Sequence, residues 1–282
     1  MGLGPLWQLR ARARTQSREE EGGAAVLDRA PLPAAQPPSA STAPVTSRPE
    51  RRPPATATVP SPRTTEPAPP VPPAPPAHSA SPQAVDPARL ARIATLDWDA
   101  LEAEIRSCRA CRLCEKRKQA VPGVGDRRAQ WLFVGEGPGA EEDQRGEPFV
   151  GAAGRLLDNM LAAIGLKRGE GVYIANAVKC RPPHNRTPEA DEIAACLPFL
   201  ERQIALLQPR LAVALGRPAA QALLGGEVRI GAARGRLHAH GELPVVVTYH
   251  PAYLLRNLAD KAKAWEDLCL AQRALESRSG ND

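Results

Sequence analysis

Four short apolar runs punctuate the last two thirds of the chain: Trp131-Leu132-Phe133-Val134, Val172-Tyr173-Ile174-Ala175, Leu211-Ala212-Val213-Ala214-Leu215 and Val245-Val246-Val247. Each is too short for a helix and reads as a strand. Between them the apolar positions recur every three or four residues. Residues 152–164 place Leu156, Leu157, Met160, Leu161 and Ile164 on one helical face. Residues 96–107 form a shorter helix with Leu101 and Ile105 together. A longer apolar stripe runs Ile193, Leu197, Leu200, Ile204, Leu207. Thr187 reads as its N-cap and Pro188 as its first residue, while Pro198 is expected to kink or divide it. Helices over 218–224 and 261–275 complete the pattern.

Strands alternating with helices, each strand nearly continuous in apolar residues, define an α/β fold with a parallel sheet covered on both faces. Ligands of such sheets sit beyond the carboxyl ends of the strands. That rule selects Gly135-Glu136-Gly137-Pro138-Gly139, Asn176-Ala177-Val178-Lys179, Gly216-Arg217-Pro218 and His250-Pro251-Ala252-Tyr253.

Composition adds a boundary. Most of the 31 prolines precede Ala88, in a stretch of Ala, Pro, Ser and Thr. Too few large apolar residues lie there to offset chain entropy, so residues 1–87 are expected to be a disordered extension and 88–282 one domain. Leu3, Leu6, Trp7 and Leu9 could bind a protein partner. No run is long enough to span a membrane, and the apolar start is too short for a signal peptide. A cytoplasmic, nucleoid-associated monomer is expected, its 6 cysteines reduced. The net charge of +6 fits a nucleic-acid partner without requiring one.

Cys108, Cys111 and Cys114 are spaced C-x2-C-x2-C, and Cys180 and Cys196 lie farther on. Close and distant thiolates together can enclose a metal site and clip a loop to a helix. Spacing alone leaves open zinc or an iron–sulfur cluster, and which clustered cysteine is spare. The glycines at 135–139 let backbone approach a ligand, yet neither a phosphate loop nor a dinucleotide fingerprint is present. Glu136 stands where a general base would be placed. Phe149, on a Gly/Pro-rich loop, could stack on a planar base or simply fill the core. Asn176 offers a donor and an acceptor, matching the O4/N3–H edge of uracil and opposing that of cytosine. His250 could donate to a base carbonyl. Leu254 or Leu255 could wedge into a base stack, and Arg256 could hold a phosphate.

In combination these segments resemble the type-4, iron–sulfur uracil-DNA glycosylases of the uracil-DNA glycosylase superfamily. The motifs are C-x2-C-R-L at 108–113, V-G-E-G-P-G-x-E-E-D at 134–143, P-F-V-G at 148–151, N-A-V-K-C-R-P-P-x-N-R-T-P at 176–188 and H-P-A-Y-L-L-R at 250–256. The resemblance implies a three-layer α/β/α domain around a central four-stranded parallel sheet. It implies a [4Fe-4S] cluster on Cys108, Cys111, Cys180 and Cys196, leaving Cys114 spare. It further implies uracil contacts from Gly135, Glu136, Gly137, Phe149, Asn176 and His250, with Glu142 and Asn185 supporting the loops. The implied activity is hydrolysis of the glycosidic bond of uracil in single- or double-stranded DNA, as in base excision repair. Related uracil glycosylases carry an aspartate where this loop has Gly137, so water activation is left to Glu136 or to no strong base. Lys179 is the amine that could instead act as a nucleophile. Two rival classes share parts of the pattern: a metal-clipped nucleic-acid-binding module without catalysis, and a nucleotide-processing enzyme.

Overall fold

The computed structural model of the protein describes residues 86–279. Strands β1 (Val124–Gly125), β2 (Trp131–Gly135), β3 (Val172–Asn176), β4 (Leu211–Leu215), β5 (Leu237–His240) and β6 (Leu243–Thr248) form one sheet in the order β1-β3-β2-β4-β6-β5. Strand β2 runs parallel to both β3 and β4, and β4 runs parallel to β6. The edge strands β1 and β5 pair antiparallel. The sheet is therefore mixed and six-stranded, with four inner strands parallel and an antiparallel strand added at each edge. The additions carry no apolar run: β1 has two residues, and β5 alternates exposed with half-buried positions.

The helices are α1 (Pro87–Thr95), α2 (Trp98–Ser107), α3 (Ala140–Arg145), α4 (Ala152–Ala163), α5 (Ala190–Leu207), α6 (Arg217–Leu224), α7 (Ile230–Ala233), α8 (Pro251–Leu254) and α9 (Lys261–Ser279). Successive strand residues point to opposite faces and so divide the core in two. Leu132, Val134, Ala175, Ala212 and Val247 pack with Leu101, Ile105, Phe199 and Leu200 of α2 and α5. Trp131, Phe133, Ile174, Val213 and Val246 pack with Leu157, Leu161 and Leu268 of α4 and α9. Both faces are covered, as fully apolar strands require.

Helix α5 departs from expectation in where it starts, and Pro198 does not divide it. It starts at Ala190, after Thr187 and Pro188, with the Glu192 carboxylate accepting the Glu189 N–H at 2.8 Å. It also runs unbroken through Pro198. One lost backbone bond is outweighed by a face buried on both sides of the proline, at Ile193, Cys196, Phe199, Leu200 and Leu207. Helix α1 escaped the apolar pattern because Ile93 is its one buried residue. The expected extension lies outside the described residues apart from its last two. Of these, Asp86 caps α1 by accepting the Ala88 N–H at 3.0 Å, and Pro87 opens the helix. Among the described residues no helix is long and apolar enough to cross a membrane.

Candidate active site

Strand β2 has β3 on one side and β4 on the other, so the crossovers leave it in opposite directions. Its carboxyl end is the switch point at which such sheets bind ligands. There a cavity of about 410 Å³ opens, and Glu136, Phe149, Asn176 and His250 all line it. Gly137, Glu142, Asn185 and Arg256 border the same space. Residues distant in sequence thus share one wall because three parallel strands end at one level.

The floor is set by register. Gly135 and Asn176 are cross-strand partners at the ends of β2 and β3. A Cβ on Gly135 would collide with Asn176 Oδ1 and the Phe149 ring, so only glycine lets both side chains close over it. Asn176 is buried, and its Oδ1 is a buried side-chain oxygen without a hydrogen-bond partner. Such an orphan is costly and marks a place where a ligand donor fits.

Phe149 adopts a left-handed backbone (φ 56°), an uncommon conformation for a bulky residue. Three contacts impose it. Arg168 donates to the carbonyls of Pro148 at 3.0 Å and Phe149 at 2.9 Å. Glu142 accepts the N–H groups of Val150 at 3.0 Å and Gly151 at 3.2 Å, and its other oxygen accepts Gly139 N–H at 3.1 Å. That carboxylate rivets the Phe149 loop to the glycine loop. Gly154 of α4 lies against the Phe149 carbonyl so closely that a Cβ would overlap it. We expect Gly154→Ala to displace Phe149 and lower stability by about 1–3 kcal/mol through overpacking. Calorimetry checks this; an unchanged melting temperature would remove Gly154 from the support of the loop.

The Phe149 and His250 rings face each other at 5.4 Å with planes 30° apart. His250 Nδ1 accepts the Ala252 N–H at 3.1 Å, which places the remaining proton on Nε2. Burial, then the charge of Arg256, pushes the imidazole down to about 4. His250 is therefore a neutral N–H donor at ordinary pH. Half-buried Glu136 is raised above the usual carboxylate range by burial, a shift opposed by the Thr187 hydroxyl and by Arg217.

The predicted wedge divides. Leu254 is 1% exposed and belongs to the core, because α8 turns that position inward; this removes it as a wedge. Leu255, 43% exposed, projects beside Arg256. Asn185 sits at the rim in a left-handed conformation (φ 55°) and accepts from Arg181 Nε at 2.7 Å. Lys179 is fully buried, with its ammonium turned to the Asn176 carbonyl and Gln203.

A second cavity is lined by Cys108, Cys111, Cys114, Cys180 and Cys196. Cys108 ends α2, Cys111 precedes a 3-10 turn, Cys180 follows β3 and Cys196 lies on α5. Polar hydrogens point at the sulfurs: Lys179 N–H to Cys196 at 3.2 Å, Ala110 N–H to Cys108 at 3.5 Å, and Arg117 to Cys180 at 2.8 Å. Burial raises the Cys111 thiol to about 11 and Cys196 to about 12. Apolar surroundings with donors aimed at sulfur suit thiolates held by a metal centre.

The fold and the site define a class before any single relative is considered. A model of the uracil DNA glycosylase superfamily matches residues 122–269, and the chain belongs to that superfamily. Within it, the chain is similar to the type-4 uracil-DNA glycosylase of Pyrobaculum aerophilum, 45% identical over 163 residues that cover 55% of this chain and 82% of that protein. It is also similar to the type-4 enzyme of Thermotoga maritima, 47% identical over 149 residues, or 52% and 77% of the two chains. The type-5 uracil-DNA glycosylase of Thermus thermophilus is 39% identical over 149 residues, covering 46% of this chain and 68% of that one.

Proposed function

We propose that the protein hydrolyses the N-glycosidic bond of uracil in DNA, releasing the free base and leaving an abasic site for repair. The observation that carries this reading is the orphaned Asn176 Oδ1, facing the space bordered by Phe149 and His250. A base in a duplex cannot reach such a cavity, so the nucleotide must be flipped out. Phe149 stacks on the extruded ring. Asn176 accepts from N3–H and donates to O4, an order cytosine cannot satisfy. As the C1′–N1 bond breaks, its electron pair passes to the base and negative charge grows on O2. The His250 Nε2–H is placed to stabilise that charge without giving up its proton. Water then adds to C1′ and the departing base anion takes up a proton. Glu136, its acidity weakened by burial, orients that water. Arg256 holds a phosphate, and Leu255 fills the gap left in the stack.

The buried ammonium of Lys179 faces away from any sugar, which favours hydrolysis over amine attack. Incubating the protein with uracil-containing single strands and duplexes tests both statements. Free uracil should appear, with strand breaks only after alkali. Absence of free uracil would support the binding-module class, and breaks before alkali would point to an amine.

A [4Fe-4S] cluster held by Cys108, Cys111, Cys180 and Cys196 fits the second cavity. One zinc draws all four sulfurs to about 2.3 Å from a point, whereas a cluster gives each thiolate its own iron. Bound there, the cluster supplies cross-linking of α2, the Cys180 loop and α5.

A further inference from the structure

The polar core between the two cavities has no role in the reaction just described. Lys179 is fully buried, yet both hydrogen-bond acceptors of its ammonium are neutral: the Asn176 carbonyl at 2.9 Å and Gln203 Oε1 at 2.6 Å. Gln203, also buried, is fixed by donating to the Pro122 carbonyl at 2.8 Å and the Tyr173 hydroxyl at 3.4 Å. Lys179 simultaneously lines the cysteine cavity. Its own N–H donates to Cys196 Sγ at 3.2 Å, and its carbonyl accepts from Val121 N–H at 2.8 Å. One residue thus reaches the Asn176 carbonyl with its side chain and Cys196 with its backbone, and it borders the cysteine cavity.

We propose that Lys179 is a positioning residue that ties the backbone of Asn176 to the cysteine-lined cavity, so that the metal site fixes the amide that reads the base. The last turn of β3 is where such a tie is needed. Beyond Asn176 the parallel ladder with β2 stops, and the chain must turn within four residues from the base pocket to Cys180. Ala177 and Val178 hold on through the carbonyls of Gly135 and Glu136. The Asn176 carbonyl is left to the ammonium, which the Gln203 amide steers from α5. A hydrocarbon side chain of similar length would fill the space and leave that carbonyl unheld.

The inference rests on Asn176 meeting the base, and the experiment separates the two. The parent holoprotein is first assayed for uracil release and iron content; a parent that releases no uracil fails the functional reading before any variant is considered. Lys179→Met is then expected to slow single-turnover release by about tenfold to a hundredfold, the worth of a hydrogen bond to a charged group, with iron per chain and visible absorption retained. In an Asn176→Ala background the same change should cost nothing further, since it acts through that residue. A loss that is equally large in both backgrounds, or no loss in the parent, would overturn the proposal. Should Lys179→Met fail to retain iron, Gln203→Met, at a residue that does not line the cysteine cavity, makes the same test. It frees the ammonium from its α5 anchor and should show a smaller loss with the same dependence on Asn176; equal losses in both backgrounds would again refute the tie.

Discussion

Asn176→Asp should lower uracil release from DNA by about a hundredfold to a thousandfold, the range in which a buried polar site rejects a mismatched hydrogen-bond partner. The carboxylate keeps the size of the amide and removes its donor. It then sets two acceptor oxygens against a base edge that presents one donor and one acceptor. The added charge also opposes the negative charge growing on the base. The Asn176 backbone pairing with Gly135 and the ammonium contact do not involve the amide, but the new carboxylate is buried and unpaired, so folding is verified by thermal denaturation before rates are compared. Single-turnover assays at matched iron content would show this. A rate within a factor of about two of the parent, well below one hydrogen bond in worth, would remove Asn176 from base recognition.

His250→Ala should be comparably severe. Removing one preorganised donor to a developing oxyanion costs about a hundredfold to a thousandfold in rate. Acid gives a second handle. The folded imidazole titrates at about 4, below the value of about 6.5 for an exposed histidine. The unfolded chain therefore binds the proton first as pH falls. Stability from this residue is complete above about pH 6.5 and is lost progressively as pH falls through the folded value. The alanine variant should lack that share of the acid sensitivity. Over the same range the parent keeps its neutral Nε2–H donor, so its rate should not track histidine protonation near pH 6.5. A rate profile breaking there would mean that an imidazolium, not a neutral ring, does the work.

Much of this site could be read along the chain because its parts obey local rules. Strands buried on both faces must be apolar throughout, which exposed β2, β3, β4 and β6, and their ends then marked Glu136, Asn176 and His250. The edges β1 and β5 follow no such rule, since each is paired on one side only. Thr187 looked like a helix cap because a hydroxyl before Pro188 fits that pattern. Its hydroxyl instead borders the same cavity as Glu136 and lowers that carboxyl, a relation no periodicity encodes. Arg168 and Gly154 were invisible for the same reason: both serve the Phe149 carbonyl, and their residue types become legible only when the turn at Phe149 is known. The phase of Leu254 and Leu255 hung on the direction of one helical turn, which a run of paired leucines leaves open. The cysteine spacing announced a shared site, whereas the buried Lys179 between it and the base pocket gave no sign of its position.

The anchoring of Leu254 has a mechanical meaning for the DNA. With its neighbour Leu254 sunk in the core, Leu255 in its proposed role as the wedge is carried on a short helix anchored beneath it. In that role the double helix would have to part at the lesion before the side chain enters, a cost borne by the nucleic acid. Wobble mispairs and pliable pyrimidine–purine steps yield most readily, so the order in which lesions are cleared across a genome would follow the local softness of the double helix as much as the chemistry of the base.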